Sequence, residues 1–424
     1  MADDLQRVHR TIDAVWRIES AKIIGAVARL VRDVGLAEEL AQDALVAALE
    51  HWPQGGVPDN PAAWLMATAK NRALDRLRQH TLHQRKQQEL GADADARGDH
   101  VVPDFSDALD AADHIDDDLL RLVFTACHPV LTKDAQVALT LRLLGGLSTA
   151  EIARAFLTPE PTIAQRIVRA KRTLTAARVP FELPRADALA PRLNAVLEVV
   201  YLIFNEGYAA TSGSDWMRPA LCDEALRLGR MLAQLAPQHS EVHGLVALME
   251  IQASRTRARV DAGGRPILLL EQDRSRWDQL LIGRGLAALA QAAALGGEAG
   301  PYELQAAIAA CHARARTAAA TDWTQIVACY DALAQRMPSP VVELNRAVAV
   351  GMAFGPEVAL PLVDALAASP QLERYHLLSA VRADLLSKLG RHDEARLAFE
   401  RAAALTLNER ERALLLERAR ATLA

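Results

Sequence analysis

Residues 147–174 carry the tightest constraint on what this chain can become. Ser148 and Glu151 stand at the spacing of a capping box, in which each side chain satisfies a backbone N–H at the start of a helix. Thr158-Pro159 then predicts a cap and a first-turn proline for a second helix. Along that helix Ile163, Ile167, Ala170 and Leu174 fall at i, i+4, i+7 and i+11, a single buried stripe. Thr162, Gln165, Arg166 and Arg169 share another face. A short helix, a tight turn and a helix with one apolar and one hydrogen-bonding face meet the requirements of a helix-turn-helix. A solvated basic helix in an ordinary bundle would need neither the capping box nor the turn.

Charge divides the chain around this segment. Residues 61–90 contain Lys70, Arg72, Arg76, Arg78, Arg85 and Lys86 against Asp75 and Glu89. Residues 91–118 reverse the balance, with ten aspartates against the single Arg97, and read as a solvated linker. Residues 161–180 are basic again, with Arg166, Arg169, Lys171, Arg172 and Arg178 and no acid. The whole chain, 48 Lys+Arg against 53 Asp+Glu, is not uniformly basic, so any nucleic-acid contact must lie on particular helices. Cys127, Cys222, Cys311 and Cys329 form no C-x-x-C pair, which argues against a cysteine zinc site and a disulfide scaffold. The N-terminus lacks a signal-peptide layout, and no apolar run nears the ~20 residues of a membrane span. The expectation is a soluble, cytoplasmic protein with no membrane partner.

Residues 36–52 predict an amphipathic helix with Leu40, Ala44, Leu45, Ala48 and Leu49 inside. Asp33, Glu38, Glu39, Gln42 and Asp43 are expected to form an acidic and amide-bearing surface beside it. A loop is predicted over 53–60, ending with Asn60 as N-cap and Pro61 at the first helical position. The next helix, over 61–79, buries Leu65, Ala69 and Ala73 and displays Asn71, Asp75 and Arg78. Trp16, Trp52 and Trp64 are read as core tryptophans rather than base-stacking ones.

With these residues in view, the sequence resembles an extracytoplasmic-function (ECF) sigma factor of bacterial RNA polymerase. The A-E-E-L-A-Q-D-A run at 37–44 is similar to region 2.2, and A-W-L-x-x-x-A-x-N-R-A-L-D-x-L-R at 63–78 is similar to regions 2.3–2.4. Residues 151–171 fit region 4.2. The resemblance implies an all-α protein, with a region 2 bundle over 1–85, an acidic linker over 86–115 and a region 4 helix-turn-helix over 116–180. It implies core RNA polymerase as partner, through its β′ clamp coiled coil and β flap, and promoter DNA. Asp33, Glu38, Glu39, Leu40, Gln42 and Asp43 would meet the clamp. The 53–60 loop with Asn60, Asn71, Arg72, Asp75, Arg76 and Arg78 would capture the single-stranded minus-10 element. Thr162, Gln165, Arg166, Arg169 and Lys171 would read the minus-35 duplex. Leu157, where the turn often has glycine, and Ala164, at a commonly polar position, depart from the pattern. A conventional activator would not need the first basic unit.

Beyond residue 180 the chain reads as Ala/Leu-rich helices punctuated by Gly and Pro pairs. Ala347, Ala359 and Val363 recur 36 positions later as Ala383, Ala395 and Phe399, with small residues at a spacing that would let paired helices pack closely as in tetratricopeptide-type arrays. This predicts a helical extension domain over 181–290 and repeats over 291–424. The chain resembles the sigma subgroup with a large helical extension, through residues 201–208 and 271–277, which implies control in cis by contact with the sigma domains or polymerase. No cofactor, metal or catalytic pair is expected. His239 and His243 read as a helix start, and Cys127-His128 as packing residues. Arg255, Arg257 and Arg259 have two readings, of which salt bridges to Asp261, Asp273 or Asp278 are favoured over anion binding.

Overall fold

Low aromatic content and long Ala/Leu stretches favour helix over sheet, and the computed structural model is 76% helical. It describes residues 2–91, 115–156 and 158–422. The chain forms two compact units, 1–199 and 200–424.

In the first unit α1 (Ala2–Val31), α2 (Val34–Gly55) and α3 (Pro61–Gly91) pack on one another. Their core holds Ile23, Ile24 and Val27, the small residues Ala37, Ala41 and Ala44, and Leu65, Ala69 and Ala73. Leu49, expected inside, is 39% exposed, and Ala47 takes the buried register instead. Alanines let the helices approach closely, so the inward stripe of α2 is built on small side chains. The loop predicted over 53–60 is shorter, because α2 continues through Pro53 to Gly55. Proline loses the N–H bond one turn back and crowds the carbonyl there, and in the last turn of a helix the chain can absorb both most easily. Trp52 is buried and meets Trp64 edge to face at 5.5 Å, whereas Trp64 and Trp16 are only half-buried.

α3 runs twelve residues past the end predicted at Gln79. The acidic stretch at 92–114 and Leu157 lie outside the described residues. Beyond that stretch Asp116, Asp117 and Asp118 open α4 (Ile115–Ala126), where carboxylates complement the helix dipole. Asp118 is buried and accepts from Arg29 at 3.1 Å and Arg121 at 2.7 Å.

α5 (Lys133–Leu143), α6 (Thr149–Ala155) and α7 (Glu160–Ala176) follow. The capping box is present in both directions: Glu151 N–H donates to Ser148 Oγ at 3.2 Å, and Ser148 N–H to Glu151 Oε2 at 2.8 Å. α7 starts without a side-chain cap, since Thr158 donates to the Phe156 carbonyl and Pro159 takes the cap position. Ile163, Ile167, Ala170 and Leu174 are all buried, as the stripe requires. The chain passes from the first compact unit to the second within α8 (Ala186–Tyr208). Its first half belongs to the first unit: Arg192 donates to the Phe124 carbonyl at 2.6 Å and Lys133 to Glu198 at 2.6 Å.

The second unit contains α9 (Pro219–Leu235), α10 (Ser240–Ala253), α11 (Gln279–Ala294), α12 (Pro301–Arg314) and α13 (Trp323–Arg336). It continues with α14 (Pro340–Phe354), α15 (Pro356–Leu366), α16 (His376–Lys388), α17 (His392–Leu405) and α18 (Glu409–Ala421). From α12 onward each helix packs on the next. The 36-residue recurrence now has a place. Ala347 on α14 with Ala359 and Val363 on α15 is repeated as Ala383 on α16 with Ala395 and Phe399 on α17, all nearly inaccessible. Gly355, at φ 104°, ends α14 and lets Pro356 begin α15 without a loop.

One element escaped the sequence reading. β1 (Ser212–Gly213) pairs in parallel with β2 (Leu407–Asn408), closing the second unit's start onto its end. Asn408, 1% exposed, donates to the Ala210 and Asp215 carbonyls at 3.1 and 2.8 Å. It also accepts from the Arg410 and Glu411 N–H groups as N-cap of α18. Asn408→Ala is expected to destabilise this unit by about 2 kcal/mol, a lost cap plus two orphaned carbonyls, read as a lower unfolding midpoint.

Candidate polymerase and promoter interface

The two basic helices are presented differently. On α7, Thr162, Gln165 and Arg169 are exposed at i, i+3 and i+7, one face opposite the buried stripe. Arg166 is half-buried and pairs with Asp134 of α5 at 3.3 Å. Lys171 is not on the open face at all: its ammonium pairs with Glu38 of α2.

Glu38 was expected on an acidic surface, and it is 2% exposed. Its carboxylate receives Arg142 Nε of α5 at 2.6 Å, the Gln42 amide and the Lys171 ammonium. The reason is geometric. Glu38 lies one residue from the buried Ala37 and within a turn of Ala41, on the edge of α2 that meets α7. There a carboxylate is tolerated only with cations beside it. Asp33 joins the same seam, capping α2 through the Leu36 N–H and accepting from Thr175 Oγ1 at 2.8 Å. Arg142 had no sequence signal, since its partner lies 104 residues away. Arg17, likewise unforeseen, donates to Glu151 at 2.6 Å and ties α1 to the capping box.

Of the remaining α2 candidates, Glu39 and Asp43 stay outward. Gln42 is half-buried, while Leu40 is 7% exposed. Leu36, Glu39, Leu40 and Asp43 border a groove of about 390 Å³ whose other wall is Arg72, Asp75, Arg76 and Gln79 of α3. Arg72 bridges it to Asp43 at 3.5 Å. Asn71, Asp75, Arg76 and Arg78 are exposed along α3, with Arg78 turned onto Asp75 at 3.4 Å. Asn60 caps α3, its side-chain oxygen accepting from the Ala63 N–H at 3.0 Å. The turn before it, 56–60, is largely open to solvent.

Residues 18–82 match the family described as Sigma-70 region 2, and residues 121–174 the one described as Sigma-70, region 4. An "ECF RNA polymerase sigma factor SigK" of Mycobacterium ulcerans is 31% identical over 157 residues, covering 36% of this chain and 78% of that protein. The chain belongs to the ECF RNA polymerase sigma factors. A "Probable ECF RNA polymerase sigma factor SigI" of Mycobacterium tuberculosis is 27% identical over 40% of this chain and 57% of its own length. One relative matches through the extension as well. An "Uncharacterized protein R00370" of Rhizobium meliloti is 45% identical over 92% of this chain and 91% of its own. Residues 192–293 match a family of unknown function, DUF6596. No solved structure matches.

As an ECF sigma factor, the protein acts in transcription initiation with core RNA polymerase and promoter DNA, rather than as an enzyme. Among the described residues no helix is long and apolar enough to cross a membrane, and no group of His, Cys, Asp or Glu is placed to hold a metal. His239 stands at the start of α10 without a side-chain capping bond, and the His243 ring nitrogen lies against the Pro237 carbonyl at 2.8 Å. Cys127 is buried against Thr140, and burial pushes its thiol up to about 11, so it is inert as a nucleophile.

Proposed function

We propose that this sigma factor recruits core polymerase through the acidic edge of α2, melts the minus-10 element on α3 and its preceding turn, and reads the minus-35 duplex with α7, under control of its extension. The observation carrying this reading is the pairing of two separately exposed faces in one unit, Asn71, Asp75 and Arg78 on α3 and Thr162, Gln165 and Arg169 on α7. Melting needs a polar, partly basic surface to hold an extruded strand and no catalytic side chain. Duplex readout needs a rigid helix, and the buried stripe of α7 supplies the rigidity. Glu39, Gln42 and Asp43 keep an acidic and amide-bearing edge open for a basic partner. Glu38 and Lys171 occupy each other, so they serve polymerase and DNA only after α2 and α7 part.

Transcription with purified core polymerase on genomic promoter fragments tests the assignment. Arg169→Ala should weaken promoter output about tenfold or more, the cost of one lost base or phosphate contact. Arg166→Ala should cost less, because that guanidinium is already shared with Asp134. A chain ending at Tyr208, which keeps α8 whole, should differ from full length in output. Core-independent binding to duplex DNA without promoter-specific transcripts would replace this reading with that of a conventional activator.

A further inference from the structure

The extension holds a cavity of about 260 Å³, open on one side and lined by Tyr201, Leu248, Arg255, Ile308, His312 and Tyr330 among others. Salt bridges were expected for its arginines, and they are not made. Asp261 accepts from its own turn at Gly263 and Arg265, Asp273 from Ser275, and Asp278 caps α11. Arg257 points to solvent. Arg259 spends its charge on the Tyr208 carbonyl and ring, 3.5 Å from the ring centroid. Arg274 gives its donors to the His312 and Ala315 carbonyls, both at 2.7 Å, and to Thr321 Oγ1 at 3.1 Å.

Arg255 is the exception. It is 8% exposed, its Nε has no hydrogen-bond partner, and no carboxylate pairs with it among the described residues. The Tyr208 and Trp277 rings lie 5.6 and 5.9 Å from its guanidinium carbon, cation–π contacts that offset part of its burial, and the same side chain lines the cavity. Beside it His312, 7% exposed, also has an unpartnered ring nitrogen, Nδ1. No Asp or Glu lines the cavity, and Leu248, Leu269 and Ile308 give it apolar walls. A buried cation without a counter-charge is costly unless something else supplies one. The volume lies just below the ~300–1,000 Å³ typical of drug-sized sites, so the complement is compact.

We propose that this cavity binds a small organic acid, its carboxylate taken by Arg255 and His312 and its carbon body by the apolar walls. A planar guanidinium edge matches a carboxylate in two parallel hydrogen bonds. Burial and the neighbouring Arg255 and Arg274 push the His312 pKa down to about 4, so the free site holds a neutral ring, and a bound anion favours its protonation. The sigma assignment is independent of this site.

The test is thermal unfolding of the full chain with benzoate, propionate, benzamide or inorganic phosphate at matched ionic strength. Hydrogen exchange of the unmodified protein serves as a second readout. A carboxylate at tenfold its dissociation constant should raise the midpoint by about 3 °C and slow exchange at 252–258 and 305–312. Arg255→Met should abolish that shift, and Arg255→Lys should reduce it. Equal shifts from benzamide and benzoate would reduce the cavity to an apolar void. A larger shift from phosphate would reassign its chemistry, and no response to either carboxylate would sink the proposal. Should Arg255→Met fail to fold, the exchange pattern of the unmodified chain still decides.

Discussion

Glu38→Gln is expected to loosen the first unit by about 3 kcal/mol, at the lower end of the cost of breaking a buried ion pair. The carboxylate is 3% exposed, whereas its partners Arg142 and Lys171 keep 22% and 19% of their side-chain surface, so water relieves them in part. Glutamine preserves the shape and can accept one hydrogen bond, but it leaves two cations facing each other without a counter-charge. Amide exchange in α2 and α7 should quicken roughly a hundredfold, since 1.4 kcal/mol corresponds to tenfold. Glu39→Gln, on the same helix but exposed, should change exchange little, because surface substitutions stay within about 0.5 kcal/mol. Equal behaviour of the two variants would mean that the seam between α2 and α7 owes nothing to this network. The same measurement bears on function. If promoter and polymerase binding require α2 and α7 to part, Glu38→Gln should favour the parted state even as it lowers stability. A gain in core binding alongside faster exchange would separate that effect from simple unfolding.

What the sequence made legible was local. The capping box and the α7 stripe each rest on residues within a few turns of one another, where helical period dictates which face is buried, and the 36-residue recurrence shows as alanines returning at a fixed offset. The ion network did not announce itself, because Glu38 finds Arg142 and Lys171 across 104 and 133 positions, and a carboxylate on an amphipathic helix looks the same whether it meets water or an arginine. The β1–β2 pair joins strands of two residues each, too short to alternate. Leu49 misled for a related reason: a large side chain scores as core by period, while close helix packing selected Ala47. Arg255 was ambiguous in sequence because three nearby aspartates offered partners, and each turned instead to its own turn or helix end.

Phe399→Ala should be the most disruptive single change in the extension, costing about 3–5 kcal/mol. The ring is 1% exposed among Ala383, Ala402, Leu415 and Ala419, and the Arg418 guanidinium lies 4.5 Å from its centroid. Most of those neighbours are alanines, whose short side chains cannot reach into the void, which places the cost high in its range. In a stack where each helix pair contacts only its neighbours, the loss stays local. Proteolysis and exchange should therefore open α16, α17 and α18 first. Release should then spread to residues 210–215, because Asn408 and β2 tie that segment to the start of α18. Leu397→Ala, two positions away but 57% exposed, should leave the array intact. Helices α1–α7 carry their own core, so promoter binding through Arg169 should survive Phe399→Ala. Transcriptional output that changes while DNA binding does not would then locate control in the folded repeat array rather than in the sigma domains.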